Sequence, residues 1–268
     1  MNKQIIGLGD WFATPPGRYL LAWEQAQFDL AVADLFGFNA LQLGLPELLT
    51  LQSNRMPHRW LSLPEQFDAG IPLAGSALPG PGAPRAVHLL SDAAALPFAA
   101  ASLDLLVLPH TLELSADPHQ VLREVERVLV PEGRVVIACF NPVSLWGWRQ
   151  GRARLAERLG LHAFGASTPF LPEVGRFIGP WRLRDWLRLL SFEVESDRYG
   201  LYQPAVRTEK WQQRLSWMDR LGARWWPVFG AVYFVVAVKR VRGMRLLGPA
   251  WRPRKAAHGA SVPVAQRR

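Results

Sequence analysis

The stretch from Leu103 to Phe140 constrains the fold more than any other part of the chain. Leu103 to Leu108 is short and almost wholly apolar, as a parallel strand covered on both faces must be. Asp117 then stands where a helix N-cap is needed, Pro118 fits the first turn, and Gln120 can close a capping box. Val121, Leu122, Val125, Val128 and Leu129 recur at helical spacing and make one apolar stripe. Pro131-Glu132-Gly133 predicts a turn, and Val135 to Phe140 predicts the next strand. Strand, helix and strand in this order imply a right-handed crossover in a parallel sheet.

The flanking sequence extends the pattern. Gly17 to Phe36 reads as a helix, and Ala40 to Gly44 as a short buried strand ending at a glycine. A weaker strand signal lies at His58 to Leu63, a loop signal from Gly75 to Pro84, and a strand signal at Ala86 to Leu90. Later come a helix over 183–190, a strand at Phe192 to Glu195, a helix near Lys210 to Leu221, and a last strand from Ala231 to Lys239. In that last strand Tyr233, Val235 and Ala237 are expected on one face, and Phe234, Val236 and Val238 on the other. A chain of 268 residues, 49% of them hydrophobic, suffices for one large α/β core.

Charge divides the chain. Lys239 to Arg268 holds nine basic residues and no acidic one. The 31 basic residues less those nine equal the 22 acidic ones, so residues 1–238 are neutral. The tail is expected to be a flexible, solvated terminus, or else a weak contact for nucleic acid or an anionic lipid surface. No run approaches the roughly 20 apolar residues of a spanning helix, and the N-terminus lacks the order of a signal peptide. A single cysteine, Cys139, suits a reducing compartment, so the expected location is cytoplasmic. The six histidines lack metal-ligand spacing.

From residue 86 to 140 the chain runs through a strand, Ser91-Asp92-Ala93, Leu96-Pro97-Phe98, Asp104 in a strand, His110 closing it, Asp117-Pro118 and Pro131-Glu132-Gly133-Arg134. This order resembles the second half of class I S-adenosylmethionine-dependent methyltransferases of the type 11 domain group, most closely the uncharacterised proteobacterial members. The resemblance covers about residues 38–140 by motif, and extends to about 240 if the last two strands close the family's sheet. It implies a Rossmann-like α/β fold with a seven-stranded, mostly parallel sheet whose last strand is antiparallel. It implies a methyltransferase-like domain over 1–240, with its motif-bearing core at about 38–140, a tryptophan-rich region at 141–230 and the basic tail at 241–268. S-adenosyl-L-methionine is the implied cofactor and a small molecule the expected methyl acceptor. By this resemblance Gly44 passes under the cofactor, Asp92 accepts from the adenine amino group with Ala93 beside it, and Leu108 to His110 lie next to the sulfonium. A carboxylate suits an amino donor, and Leu96 and Phe98 offer apolar walls to a flat ring.

Each site residue also has a plainer reading. Gly44 ends a strand, Asp92 can merely cap a turn, and His110 is either a proton acceptor or a satisfied buried histidine. Asp104 reads as a structural carboxylate and Cys139 as core. The family's first motif is altered: Gln42 replaces its acid, Pro46 its second glycine, and Leu48 its third. For the ribose, Glu65 stands awkwardly behind Pro64. Tyr19 and Gln27 on the first helix can face the site. The alternative function is therefore a catalytically lapsed, methyltransferase-like binding or regulatory module. Eight of the 12 tryptophans fall between Phe140 and Gly230, where they line an acceptor site or pack the core. Asn141-Pro142-Val143-Ser144 is the expected lip of that site, followed by Arg149, Arg152, Arg154 and Arg158.

Overall fold

The computed structural model describes residues 11–64, 89–158, 170–171 and 175–240. The loop from Gly75 to Pro84, Glu65, residues 86–88 and the tail 241–268 lie outside the described residues.

Seven strands form in the described residues: β1 (Asn39–Leu43), β2 (His58–Leu63), β3 (Leu89–Leu90), β4 (Leu103–Pro109), β5 (Leu129–Phe140), β6 (Phe192–Gly200) and β7 (Val232–Lys239). They make one sheet in the order β3-β2-β1-β4-β5-β7-β6. Only β7 runs against the others, pairing antiparallel with β5 from Arg134↔Val238 to Phe140↔Val232 and also with β6. The helices are α1 (Pro15–Val32), α2 (Thr111–Leu114), α3 (Pro118–Val128), α4 (Leu145–Arg158), α5 (Pro180–Leu189), α6 (Glu209–Leu215) and α7 (Trp217–Trp225).

Strand alternation divides the apolar side chains between two faces. Leu105 and Val107 of β4, Val136 and Ala138 of β5, and Phe234 of β7 meet Leu20, Phe28 and Val32 of α1 on one face. On the other, Leu106 and Leu108, Ile137 and Cys139, and Tyr233 and Val235 meet Val121, Leu122 and Val125 of α3 and Leu183 and Leu187 of α5. Both faces of β4, β5 and β7 are therefore covered, which is why those strands read as continuous apolar runs.

Asp117 caps α3 as expected: Oδ1 accepts from the amides of His119 and Gln120. Asp104 is structural, its Oδ2 accepting from the Phe38 and Asn39 amides at 2.9 Å each. Several expectations need correction. The first helix stops at Val32, short of Phe36. Pro131-Glu132-Gly133 does not separate two elements but bulges within β5, where Glu132 has φ 64° and the pairing jumps from Leu103↔Leu129 to Leu105↔Arg134. The strand opening at Phe192 continues to Gly200, and the helix expected over 210–221 breaks at Ser216 into two.

Candidate functional site

The carboxyl ends of the parallel strands share one edge of the sheet, where ligands of open α/β folds bind. At the end of β1, Gly44 takes φ 79° and Leu45 follows at 47°, a left-handed turn that glycine enters at no steric cost. The Gly44 amide donates to Ser62 O at 2.8 Å, and the Thr111 hydroxyl donates to Leu43 O at 2.6 Å. Beneath this turn Gln42 is buried. Its Nε2 donates to the carbonyls of Gly44, Leu45 and Leu48 at 3.1, 2.8 and 3.0 Å, while its Oε1 accepts from Thr50 Oγ1 at 2.7 Å. An uncharged amide thus holds the loop from within, and residues 44–57 contain no helix.

Past β3, Asp92 is exposed, and its Oδ1 accepts from the Ala94 amide at 2.9 Å in a local turn. Ala93 packs against the core edge beside it. Leu96 and Leu108 are buried in the core on the α3 face, so their contribution is packing from beneath. The Leu96 amide donates to Glu124 Oε1 at 2.8 Å, and Arg127 Nη2 bonds the carbonyls of Leu96 and Phe98, which fixes the segment after Asp92.

His110 follows β4 with φ 54° and is fully buried. Its Nδ1 lies 2.9 Å from Glu113 Oε2 of α2 and its Nε2 lies 2.8 Å from Glu24 Oε1 of α1. Both carboxylates are buried, and Glu113 Oε1 also accepts from the Phe140 amide. The Phe140 ring lies against the imidazole, with centroids 4.3 Å apart. Burial alone would lower the His110 pKa, but the facing Glu24 and Glu113 carboxylates outweigh it and lift it to about 10. Burial pushes the Glu113 carboxyl up, with the imidazolium pulling it back down. His110 is therefore a cation at neutral pH, with both ring nitrogens engaged. One buried acceptor in this cluster, Glu24 Oε2, has no hydrogen-bond partner among the described residues.

Sequence reasoning missed Glu24 and Glu113. Glu24 had a signal: it occupies the buried register Leu20, Glu24, Phe28, Val32 of α1, where an apolar residue belongs. Glu113 stands three residues after His110, a spacing that brings the two together across α2.

A cavity of about 490 Å³ lies near the end of β6, lined by Trp23, Gln27, Trp181, Arg184, Tyr199 and Tyr202, among others. Gln27 thus faces a pocket, whereas the Tyr19 hydroxyl is turned to Asp219. The expected lip is instead structural. Asn141 is buried and its Nδ2 donates to Val228 O and Gly230 O at 2.7 and 2.9 Å, while Ser144 Oγ accepts from the Gly147 amide at 3.0 Å. Arg149, Arg152 and Arg154 lie over the rings of Phe170, Trp148 and Phe177. The tryptophans follow neither reading well. Trp146 is core and Trp186 packs at its edge, but Trp148, Trp181, Trp211, Trp217, Trp225 and Trp226 are exposed.

Sheet order and a single antiparallel strand are those of the class I methyltransferase architecture. Residues 69–137 match the model of a methyltransferase domain family. A curated relative, the uncharacterised protein YafS of Escherichia coli K12, is 29% identical over 193 residues, covering 72% of this chain and 68% of its own. Among solved structures, an S-adenosylmethionine-dependent methyltransferase of Thermotoga maritima is 16% identical with TM-score 0.50, covering 83% of this chain and 92% of its own. Another from Archaeoglobus fulgidus is 15% identical with TM-score 0.50, covering 82% and 94%. Among the described residues no helix is long and apolar enough to cross a membrane.

Proposed function

We propose that this chain transfers the methyl group of S-adenosylmethionine to a small acceptor. The observation that carries the reading is the unpartnered, buried Glu24 Oε2 beside His110, at the edge where the fold binds its ligand. A buried acceptor without a donor is costly, and a donor from a ligand would satisfy it. S-adenosylmethionine carries both an ammonium and a sulfonium. The residues present therefore suit it.

When bound, the cofactor supplies an electrophilic methyl group. The chain's own residues hold and orient. Gly44 offers backbone free of a side chain under the ligand, and the Asp92 carboxylate, with one oxygen on Ala94, accepts from the adenine amino group beside Ala93. Leu96 and Leu108 keep the floor apolar and rigid from below. The His110 imidazolium, bonded to two carboxylates, fixes the charge of the pocket rather than taking up a proton. Catalysis on this reading comes from placing the acceptor in line and excluding water.

The second reading, a lapsed module, is favoured by one specific feature. The loop after β1 is closed on Gln42, lacks a following helix whose N-terminus would greet an anionic group, and carries Pro46, which has no amide to offer.

Calorimetric titration with S-adenosylmethionine and its demethylated product separates the two. Binding by the wild type supports the enzyme, and silence at millimolar ligand supports the lapsed module. Asp92→Ala should weaken binding roughly ten- to a hundredfold, the equivalent of about 1.5–3 kcal/mol for a charged hydrogen bond, and Asp92→Asn should weaken it less. Equal affinities in all three proteins would remove Asp92 from the site.

A further inference from the structure

Helix α7 is built inside out. A surface helix ordinarily turns its apolar stripe to the core and its polar side to water. In α7 the residues Trp217, Leu221 and Trp225, spaced four apart and hence on one face, are 52%, 41% and 72% exposed. The helix is instead held to the body by its small and acidic residues. Gly222 is buried against Tyr202, so closely that a Cβ there would fall 2.3 Å from the ring's Cγ. Asp219 accepts from the Tyr202 amide and from Gln203 Nε2 at 2.9 Å each, and from the Tyr19 hydroxyl. These contacts fix which side of α7 faces out. On either side of the stripe Trp211, Trp226 and Phe229 are exposed as well.

The charges beside this aromatic surface are of one sign. Lys210, Arg214, Arg220 and Arg224 are all exposed. The two acids of these helices are spent: Glu209 pairs with Arg18 of α1, and Asp219 is turned inward. Such a surface of large apolar side chains marks an interaction site. We propose that α6, α7 and the turn at Pro227–Phe229 dock on the surface of an anionic lipid bilayer.

The chemistry favours that occupant over the others. Tryptophan partitions to the bilayer interface, and arginine beside it meets the anionic headgroups. Leu221 and Phe229 gain from an acyl boundary and gain little from a phosphodiester backbone, which argues against nucleic acid. A second copy of the chain in a two-fold contact would set the same four cations against themselves. Residues 241–268, with seven basic side chains and no acidic one, add charge of the same sign. Ala223, Pro227 and Val228 also line the cavity near β6, so docking would hold that cavity at the bilayer surface. The inference goes beyond the proposed methyl transfer and does not depend on it.

The test is flotation of the full chain with extruded vesicles, one set of phosphatidylcholine alone and one of phosphatidylcholine and phosphatidylglycerol in equal parts. The wild type should float with the anionic set at low salt and be released by high salt, and should stay down with phosphatidylcholine. Trp217→Ser with Trp225→Ser should lower partition about tenfold or more, and Arg220→Gln with Arg224→Gln should lower it about tenfold at low salt. These side chains are exposed, so unchanged melting confirms that the fold is intact. Failure of the wild type to float with anionic vesicles would overturn the proposal. So would flotation undiminished by the tryptophan pair, which would place the contact in the tail. A dimer or an RNA complex formed without lipid and dissolved by the same tryptophan pair would assign the face to that partner instead.

Discussion

His110 carries a proton that two carboxylates hold in place, and its pKa of about 10 stands well above the ordinary 6.5. A raised value in the folded state means that the folded chain binds the proton more tightly than the unfolded one. The stabilisation is complete below about pH 6.5 and is lost as pH rises through about 10. Glu113, pushed up by burial, works in the same direction. Burial also raises Cys139, Tyr202 and Tyr233, but from ordinary values of 9.0 and 10.0, so the decline between pH 6.5 and 9 belongs to the cluster. The melting temperature should fall steadily across that window; a flat profile would contradict the arrangement. His110→Asn strands two buried carboxylates and should cost about 3–5 kcal/mol at neutral pH, and its melting should lose most of the slope. Of this cluster the sequence displayed His110 and, to a reader of helical register, Glu24. What it did not display is that residues 86 apart along the chain meet in one hydrogen bond, because that is a fact of tertiary approach.

At the scale of elements, local chemistry was legible where it decides the outcome locally. Asp117-Pro118 announces α3, and the structure shows the carboxylate at 3.0 and 3.1 Å from the two amides it caps. Asp117→Ala should therefore cost about 1 kcal/mol in chemical denaturation, and Asp117→Asn much less. If alanine is as stable as wild type, the cap contributes nothing. The apolar runs of β4, β5 and β7 were likewise legible, because a strand covered on both faces has no polar alternation to hide in. β6 was legible only over Phe192 to Glu195. Its second half, Ser196 to Tyr199, is held by pairing with β7 at the sheet edge rather than by its own composition. The tryptophans show the limit most clearly. Trp217, Leu221 and Trp225 have the spacing of a buried stripe, and what turns them outward is Gly222 meeting Tyr202 and Asp219 meeting its three donors.

For the whole molecule, β7 is the last strand of the sheet among the described residues. Lys239 ends that strand with its ammonium on Leu129 O at 3.0 Å and beside Glu126 at 3.1 Å, and the Arg240 guanidinium pairs with Glu132 and Glu193. A chain ending at Gly248 keeps all of these, so it should melt within a few degrees of the full chain; aggregation or loss of the cooperative transition would show that the tail belongs to the fold. The fold class was legible at this scale because the alternation of elements leaves few topologies open. At the candidate site the turns at Gly44 and Asp92 were legible, because backbone and turn chemistry leave a mark in sequence, but the loop after β1 was not, because Gln42 does its work by reaching carbonyls up to six residues on.

The bond from Glu24 to His110 has a consequence in time as well as in charge. It latches the first helix to the centre of the sheet, with both side chains fully buried. A molecule seeking Nε2 must wait for the latch to part. Its arrival would then be timed by that opening, reaching a ceiling however much of the molecule is supplied, rather than by how often the two collide.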